Sequence, residues 1–438
     1  MLYIKRILTK IIELLFFRNE VKKAQNNSSF LIHPQSVHEL KMFEEKHLNK
    51  ILASSATKTV FYNAYKSKSL NQFPLMDKQM IRECALQLRN SDYLSYKKFN
   101  FTTGGSTGEP FHFEIARICG LVNRYHSINF YKKIGYKKND RVFSIDGVQI
   151  PVKLLKSNIY WKRETREELP HGSIHISAIQ LNKVSAIHYY NFLEKERPEF
   201  IRSYPSAISE LAYYMNENNL KLSFRFKGIV LSAESILDWQ ITLLKKVFDS
   251  PVYGQYGHSE MCVFAYTEPD SLKYTCSPYY GYVEILNEKG LHVKEGEVGN
   301  IVVTNYYNEA QYFIRYITGD LAEYGGCDRF GFPILNRILG REQDFVYDEE
   351  KNKINITALV FGSHYHSFEN ILKWQIKQRE YGKVEFLIVK GKSYTNSDEQ
   401  ELRNSFLKIG LKSVFNYVDS IPLTLRGKHR LVINEITG

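Results

Sequence analysis

The stretch FNFTTGGSTGEPFHF, Phe99–Phe113, holds three glycines and four hydroxyl side chains within seven positions. Glycines let backbone N–H groups converge on an anion, and serine and threonine hydroxyls can donate to phosphoryl oxygens. The same composition also suits a sharp turn that presents a nucleophile, or a plain connection between two strands. The residues on either side decide among these three interpretations.

Two phosphate or nucleophile patterns can be tested directly on this loop. A P-loop needs G-x-x-x-x-G-K-[ST], but counting from Gly104 puts Glu109 where the second glycine should stand. The hydrolase pattern G-x-S-x-G matches at Gly104, Ser106 and Gly108, but it requires a strand, a sharp turn and then a helix. The following residues, GEPFHFEIA, alternate as a strand does, so we predict a hairpin. This disfavours a serine hydrolase and leaves a phosphate-binding loop open.

The composition is that of a soluble globular protein of about two or three domains, with 438 residues, 43% of them hydrophobic. Its five cysteines are scattered without a C-x-x-C pair, which is typical of a reducing cytoplasm. The net charge of +12 favours either an anionic partner or simple solubility. Because no zinc-finger or RRM signature and no long basic run occurs, we expect no nucleic-acid partner.

The first seventeen residues, MLYIKRILTKIIELLFF, predict a basic amphipathic helix. Such a helix either lies on an anionic membrane surface or packs its apolar face on its own domain. The sequence contains no run of about twenty apolar residues, so we predict no membrane-spanning helix. We therefore expect a cytoplasmic protein, and peripheral membrane contact through this helix stays open beside packing of the helix on its own domain.

The pattern changes along the chain. Residues 20–95 predict helices, with Asp77 as the N-cap of a helix that begins at Lys78. Downstream, strands and helices alternate, which predicts an α/β domain with a largely parallel sheet. The predicted strands are RVFSID, FIRSY, FKGIVLSAE and PVYGQYG, and the predicted helices are AIHYYNFLEKE, SAISELAYYMNEN and LDWQITLLKKVF. Between 280 and 340, the segments YGYVEIL, GNIVVTNYY, QYFIRYI and FPILNRIL predict a β-rich subdomain.

These changes predict three regions. Residues 1–95 form a helical part of the large domain, residues 96–340 form the large domain itself, and residues 341–438 form a small α+β domain. The boundary is predicted at the charged stretch from Arg341 to Lys353.

The segment YGQYGHSEM, which ends a predicted strand, carries side chains suited to a nucleotide. Tyr256 offers a flat face for a base, and Ser259 can donate to a phosphate. Glu260 is a carboxylate, and Mg²⁺ prefers oxygen ligands.

Three later segments add charged groups. In FIRYITGDLAEY, Asp320 follows a glycine in a predicted tight turn at a strand end, where its oxygens can accept both ribose hydroxyls. Arg341 follows a glycine in ILGREQDF, at the predicted boundary. Lys428 lies in LTLRGKHRLVI, on a loop that we predict to be a hairpin.

Five motifs in order, TTGGSTGEP, YGHSE, RYITGD, LGREQD and RGK, resemble the adenylate-forming acyl-CoA synthetase superfamily. The chain is similar in particular to its phenylacetate–CoA ligase-like group, which includes the capsular-polysaccharide CapK-type proteins. The resemblance covers residues 70–435. It implies a large ATP- and acid-binding domain and a small mobile α+β lid, with a hinge at Arg341–Asp344.

The resemblance also assigns roles. The glycine-rich loop would bind the β- and γ-phosphates of ATP, Glu260 would hold Mg²⁺, and Lys428 would promote adenylation as the catalytic lysine. Tyr256 would stack on adenine, Ser259 would face the α-phosphate, and Asp320 and Arg341 would bind the ribose. The residues that it places on the nucleotide are Thr102, Thr103, Gly104, Gly105, Ser106, Thr107, Gly108, Ser232, Ala233, Glu234, Tyr256, Gly257, Ser259, Asp320 and Arg341.

The activity implied by the resemblance is that of an acid–thiol ligase. ATP and a carboxylic acid would give an acyl-adenylate and pyrophosphate, and a second nucleophile would then displace AMP. The acceptor stays open among coenzyme A, a carrier-protein thiol and a sugar amine or hydroxyl, the last in surface-polysaccharide biosynthesis. The alternatives are a protein of this fold that binds nucleotide without turnover, and the serine hydrolase.

The hydrolase alternative can be tested at Ser106. We expect Ser106→Ala to weaken ATP use but leave residual activity, because backbone donors remain in the loop. A fluorophosphonate probe should leave Ser106 unlabelled, as measured by peptide mass spectrometry. Stoichiometric labelling of this serine would instead establish a nucleophile.

Overall fold

The computed structural model describes residues 18–103, 111–341, 344–356, 366–424 and 426–436. The predicted amphipathic helix of residues 1–17 lies outside the described residues. So do Gly104, Gly105, Ser106, Thr107 and Gly108 of the glycine-rich loop. Within the described ranges, no helix is both long and apolar enough to cross a membrane.

The described helices are numbered in chain order. They are α1 Arg18–Ser29, α2 Val37–Lys58, α3 Lys78–Glu83, α4 Arg117–Lys133, α5 Val152–Leu155, α6 Ala186–Glu196, α7 Pro205–Glu217, α8 Asp238–Phe248 and α9 Asn396–Leu407. Short 3-10 helices cover Phe61–Tyr65, Leu70–Gln72, Ser95–Lys97 and His366–Asn370.

The described strands follow the same order. They are β1 Lys98–Thr103, β2 Phe111–Ala116, β3 Val142–Asp146, β4 Trp161–Glu168, β5 Gly172–Ser177, β6 Phe200–Ser203, β7 Gly228–Ser232, β8 Val252–Gly257, β9 Phe264–Thr267, β10 Tyr274–Cys276, β11 Gly281–Leu286, β12 Val298–Asn305, β13 Tyr316–Cys327, β14 Pro333–Arg341, β15 Phe345–Tyr347, β16 Lys353–Asn355, β17 Ile371–Glu380, β18 Lys383–Lys390, β19 Lys412–Tyr417 and β20 Val432–Asn434.

The described residues form two compact units. Unit 1 takes its residues from Met1–Lys137, Gln255–Glu268 and Lys273–Ile338. Unit 2 takes its residues from Lys138–Gly254, Pro269–Leu272 and Leu339–Gly438. The division of the chain at residues 95 and 340 stays a prediction.

Unit 1 is built on antiparallel strands. β11 pairs with β12 and β12 with β13, while β10 pairs with both β14 and β9. The last residues of β8 pair with β9. A separate ladder joins β1 to β2, with Thr103 opposite Phe111, so the predicted hairpin around the glycine-rich loop is confirmed. A nucleophile elbow needs a helix after its turn, and a strand stands there instead.

Unit 2 contains the parallel sheet that alternation predicts. β7, β6, β3 and β5 pair in parallel, and β4 closes the edge antiparallel to β5. β6 and β7 are buried at every position except Arg202, as expected of strands covered on both faces. Because these strands run parallel, their carboxyl ends lie at the same edge of the sheet.

The C-terminal part of unit 2 has its own sheet, in the order β19-β18-β17-β20. Its core is a buried apolar cluster that includes Trp374, Phe386 and Phe406. Trp239 of α8 packs against this cluster. The predicted fold class is therefore confirmed: an α/β protein with a β-rich part and a small α+β C-terminal region.

One predicted strand is wrong over its first five residues. QYFIRYI enters a strand only at Tyr316, because Arg315 adopts a left-handed backbone with φ of 46°. Its guanidinium donates to Glu284 and to the carbonyl oxygens of Asn71 and Phe73. A buried charge takes the conformation that supplies its acceptors, against the local strand preference.

The predicted N-cap of α3 is confirmed, since Asp77 accepts from the backbone N–H of Met80 at 2.8 Å. We expect Asp77→Ala to lower the free energy of unfolding by about 0.5–2 kcal/mol, because an orphan helix donor loses its acceptor. Asp77→Asn keeps an acceptor and should cost far less. Urea denaturation followed by circular dichroism measures both. Equal losses in the two variants would contradict the capping role.

Candidate active site

Two residues that flank the glycine-rich loop, Thr102 and His112, contact each other. Thr102 Oγ1 and His112 Nδ1 lie 2.9 Å apart across the β1–β2 ladder. Thr102 is exposed, and Thr103 ends β1. The β1–β2 ladder therefore flanks the loop on both sides, and the loop's contact with phosphates stays a prediction.

Glu260 is the most deeply buried carboxylate of the predicted set, with 3% of its surface exposed. Tyr316 Oη donates to its Oε1 at 2.8 Å, and His258 Nδ1 lies 3.1 Å from its Oε2. Lys78 Nζ, at the start of α3, lies 3.9 Å from Oε1. Burial raises the pKa of this carboxyl, but the charges of His258 and Lys78 and the Tyr316 hydroxyl lower it to about 2. Glu260 is thus an anion in neutral solution.

Tyr256 and Asp320 are brought into contact within unit 1. Tyr256 Oη donates to Asp320 Oδ2 at 2.7 Å, and burial together with the Asp320 charge raises the pKa of this phenol well above its usual value. The backbone N–H of Asp320 donates to Thr318 Oγ1 at 3.1 Å. One aspartate oxygen is therefore used to hold the tyrosine ring.

The position of Asp320 differs from the predicted turn at a strand end. It lies inside β13, where the register against β12 shifts between Asn300 and Val302. Gly319 has φ of +80°, which a β-bulge of this kind requires and which favours glycine. Because of the bulge, β13 continues past Asp320 and does not end in a turn. The glycine–aspartate pair in the sequence therefore indicated a bulge within a strand.

The other unit 1 residues lie next to these pairs. Gly257 is exposed at the end of β8, and Ser259 is half-buried in the turn that follows. Met261 donates its N–H to the carbonyl of His258 and has φ of 53°, which closes this turn. The turn places Ser259 and Glu260 directly after the strand end.

In unit 2, Ser232, Ala233 and Glu234 lie where β7 ends. Ser232 is buried, and its hydroxyl has no hydrogen-bond partner among the described residues. Ala233 has φ of +73°. Glu234 accepts from the backbone N–H of Ser206 at 3.0 Å, from its hydroxyl at 3.1 Å, and from the backbone N–H of His429 at 2.7 Å.

Lys428 lies beside this carboxylate. Its backbone forms a turn closed by Thr424 N–H to the Lys428 carbonyl at 2.9 Å and by Lys428 N–H to Thr424 Oγ1 at 3.0 Å. The predicted β-hairpin is wrong, since no strand precedes this turn after β19 and β20 pairs in parallel with β17. Lys428 Nζ lies 5.9 Å from the centre of the Tyr204 ring. Burial and the nearby Arg341 lower the pKa of this lysine, while Glu234 opposes the shift.

Two contacts seat the turn on the carboxyl edge of the parallel sheet. Tyr204, directly after β6, donates its hydroxyl to the Arg426 carbonyl at 3.2 Å. Gly147, directly after β3, approaches so closely that a Cβ there would clash with the same carbonyl. With Glu234 after β7, three adjacent parallel strands therefore position the lysine turn. Open α/β sheets bind ligands at this edge.

The structure thus groups the predicted residues in two sets. Unit 1 holds the pair of Tyr256 and Asp320 and the cluster around Glu260, and unit 2 holds Glu234, Arg341 and Lys428. Arg341 ends β14, and its carbonyl accepts from the backbone N–H of Asp344 at 3.0 Å and from the side chain of Asn355 at 3.2 Å.

Some contributing residues escaped the sequence analysis. Lys78 follows a recognisable helix cap, but nothing local indicates its carboxylate partner. Gly147 and Ser206 act through close backbone contacts, which leave no pattern in the sequence. His258 and Tyr316 lie inside the recognised motifs, and that membership was their only signal.

The fold is that of the adenylate-forming CoA ligases. It matches a crystal structure of 2-hydroxyisobutyryl-CoA ligase in the postadenylation state with R3-HIB-AMP, with a TM-score of 0.67, 16% identity, and coverage of 92% of this chain and 90% of the ligase. A second structure of that ligase, with 2-HIB-AMP and CoA in the thioesterification state, matches with a TM-score of 0.56, 17% identity and the same coverage.

Two sequence comparisons point to a particular relative. Protein CapK of Staphylococcus aureus is 27% identical over 386 residues, which cover 84% of this chain and 81% of CapK. Residues 346–435 match the family model of the CapK C-terminal domain. The predicted resemblance is therefore confirmed for the adenylate-forming fold and for similarity to CapK.

The low pKa of Glu260 predicts a pH-dependent loss of stability. Its folded pKa of about 2 is below the ordinary value of 4.5, so its contribution is complete above the ordinary pKa and disappears as pH falls through the folded pKa. Between pH 7 and pH 3 we expect the wild type to lose about 2 kcal/mol of unfolding free energy from this group.

Glu260→Gln should remove this part of the pH dependence, measured as the change in urea-denaturation free energy between the two pH values. Glu45→Gln, at an exposed glutamate of α2, is the matched control and should retain it. An unchanged pH dependence in Glu260→Gln would show that the Glu260 carboxylate is not stabilised as described.

Proposed function

We propose that this protein activates a carboxylic acid with ATP, forming an acyl-adenylate and pyrophosphate, and then transfers the acyl group to a thiol or another acceptor. The observation that carries the proposal is the seating of Lys428 on the carboxyl edge of β3, β6 and β7. The fold shared with CoA ligases that hold acyl-adenylates supports it.

In the first half-reaction, a carboxylate oxygen attacks the α-phosphorus of ATP. The new bond is O–P, the bond to the β-phosphate oxygen breaks, and pyrophosphate leaves with its electron pair. Both reactants are anions, so a fixed cation where charge develops lowers the barrier. Lys428 is suited to this role because its ammonium is partly buried and its turn is held by three strands. Its neighbours Arg341 and Arg426 add positive charge.

For unit 1, we propose that Tyr256 stacks on adenine and that Asp320 orders the tyrosine while accepting from the ribose. The hydrogen bond between these two side chains supports a shared role, since it fixes the plane of the ring. Ser259 would donate to the α-phosphate. The loop of Thr102–Gly108 would bind the β- and γ-phosphates through its backbone donors.

Magnesium is proposed with Glu260 as a protein ligand. No group of three or more histidine, cysteine or acidic side chains in the described ranges could hold a metal by itself. A single ionised carboxylate nevertheless fits Mg²⁺, which binds through one or two carboxylates plus substrate phosphates. The ion would neutralise phosphate charge.

The acceptor is proposed to be coenzyme A, because the ligase of matching fold binds it. A carrier-protein thiol, or a sugar amine or hydroxyl in capsule biosynthesis, would follow instead from the similarity to CapK. Displacement of AMP by a thiol, an amine or a hydroxyl forms a thioester, an amide or an ester, respectively. These products separate by mass spectrometry.

The test of the proposed function is ATP–pyrophosphate exchange with a panel of carboxylic acids. Exchange that requires one acid and ATP together would support acyl-adenylate formation. ATP binding in calorimetry without exchange for any acid would instead identify a nucleotide-binding protein. Coenzyme A and amine acceptors are then added to the acid that supports exchange.

Lys428→Ala should slow acyl-adenylate formation by about 10²–10³, because a positioned electrostatic donor is lost. The second half-reaction, measured with synthetic acyl-adenylate, should continue near the wild-type rate. Lys227→Ala removes an exposed lysine of unit 2 and serves as the control. If both half-reactions fall together in Lys428→Ala, this lysine has a structural role.

A further inference from the structure

One face of α7 carries four polar side chains at helical spacing: Ser206, Glu210, Tyr213 and Glu217. Their separations of four, three and four residues place them in a single row along the helix. We call this row the α7 stripe. It runs from the carboxyl edge of the parallel sheet, where α7 begins, to the far end of the helix.

The C-terminal part of unit 2 meets the stripe with lysines and backbone donors. Lys373 Nζ of β17 lies 2.5 Å from Glu210 Oε2, and these two side chains are only 11% and 12% exposed. Tyr213 Oη accepts from the backbone N–H of Lys392 at 2.6 Å. Lys392 Nζ lies 3.4 Å from Glu217 Oε2 at the end of the stripe.

At the other end of the stripe, Ser206 is tied to the lysine turn through Glu234. This carboxylate accepts both donors of Ser206 and the backbone N–H of His429, the residue after Lys428. The Ser206 end of the stripe is therefore hydrogen-bonded to the lysine turn, while Glu210, Tyr213 and Glu217 contact the C-terminal part of unit 2. Tyr213 also packs on the buried apolar residues Leu372 and Val389, beside the Glu210 pair.

The Glu210–Lys373 pair sets the position of β17 on α7. Burying two charges is costly unless the pair is well placed, and removal of one partner leaves an uncompensated buried charge. Each alternative position of β17 on α7 would separate the charges. The pair thus favours one position of the C-terminal part of unit 2 on α7. The position of the lysine turn follows from it, because β20, which comes after the turn, pairs with β17.

We propose that Glu210 and Glu234 are positioning residues for Lys428, acting through the α7 stripe. The proposal deepens the proposed function and depends on it for the catalytic consequence. Because the lysine side chain is long and flexible, its ammonium is confined to one region only if the backbone of Lys428 is itself held in place. Glu234 holds the backbone next to Lys428, and Glu210 holds the sheet from which the turn extends.

The first experiment needs neither substrate nor activity. Deuterium exchange of full-length Glu210→Gln should rise at least about tenfold at residues 391–393 and 426–430, because Lys373 loses its partner. The double variant Glu210→Gln/Lys373→Met removes both charges and should restore most of the protection. Asp140→Asn breaks the 2.7 Å pair with Lys227 in the same unit and is the control, with no change expected at 426–430.

The second readout is Lys428 itself. The pH dependence of its acetylation by acetic anhydride, followed by mass spectrometry, reports the ammonium's surroundings. In Glu210→Gln the midpoint should move upward toward the ordinary lysine value, since the turn leaves its partly buried seat. An unchanged midpoint together with unchanged exchange would overturn the proposal. A moved midpoint in Asp140→Asn would also overturn it, because the effect would then be unspecific.

The third readout uses ATP, pyrophosphate and the acid that supports exchange. Glu210→Gln should lower kcat of the first half-reaction about tenfold or more with little change in KM for ATP. In a Lys428→Ala background the same substitution should have no further effect. An equal loss in both backgrounds would overturn the positioning role. If no acid supports exchange in the wild type, the proposed function fails, and deuterium exchange and Lys428 acetylation still decide whether the stripe positions the turn.

Discussion

The position of the lysine turn in unit 2 depends on the hydrogen bonds that the Glu234 carboxylate accepts. It accepts from the first turn of α7 and from the segment after Lys428, two parts of the chain more than two hundred residues apart. Burial raises the pKa of this group above its ordinary value, against the opposing effect of the three donors and the nearby ammonium. A carboxylate removed from water needs such donors, so the helix start and the lysine turn are held together by its solvation requirement.

The same requirement explains the cluster around Glu260. Its hydroxyl, imidazole and ammonium neighbours come from β13, the turn after β8 and α3, respectively. The result is a buried carboxylate that stays ionised because polar and charged groups surround it. In both units, a carboxyl group that follows a strand end is contacted by donors from distant segments. Perturbed pKa values are concentrated at the functional sites of proteins, so carboxyl groups of this kind are candidates for functional residues.

Secondary structure followed the local pattern where packing agreed with it. AIHYYNFLEKE is helix over its full predicted length, and the parallel strands appear where β-branched residues cluster. The exceptions have identifiable causes. Arg315 breaks a predicted strand to reach its acceptors, and Gly319 makes a bulge where a turn was expected. In both cases a long-range polar contact or a register shift, invisible in a local window, overrode the pattern.

The sequence by itself determined the order of motifs, the alternation that makes an α/β sheet, and the hairpin that carries the glycine-rich loop. These features are local, because they depend on spacing within one segment. Only the tertiary structure decided which charged groups meet: Lys78 with Glu260, Tyr256 with Asp320, and the α7 stripe with the C-terminal sheet. Those pairs join residues far apart in the chain, and their formation depends on desolvation and close packing, which no local spacing encodes.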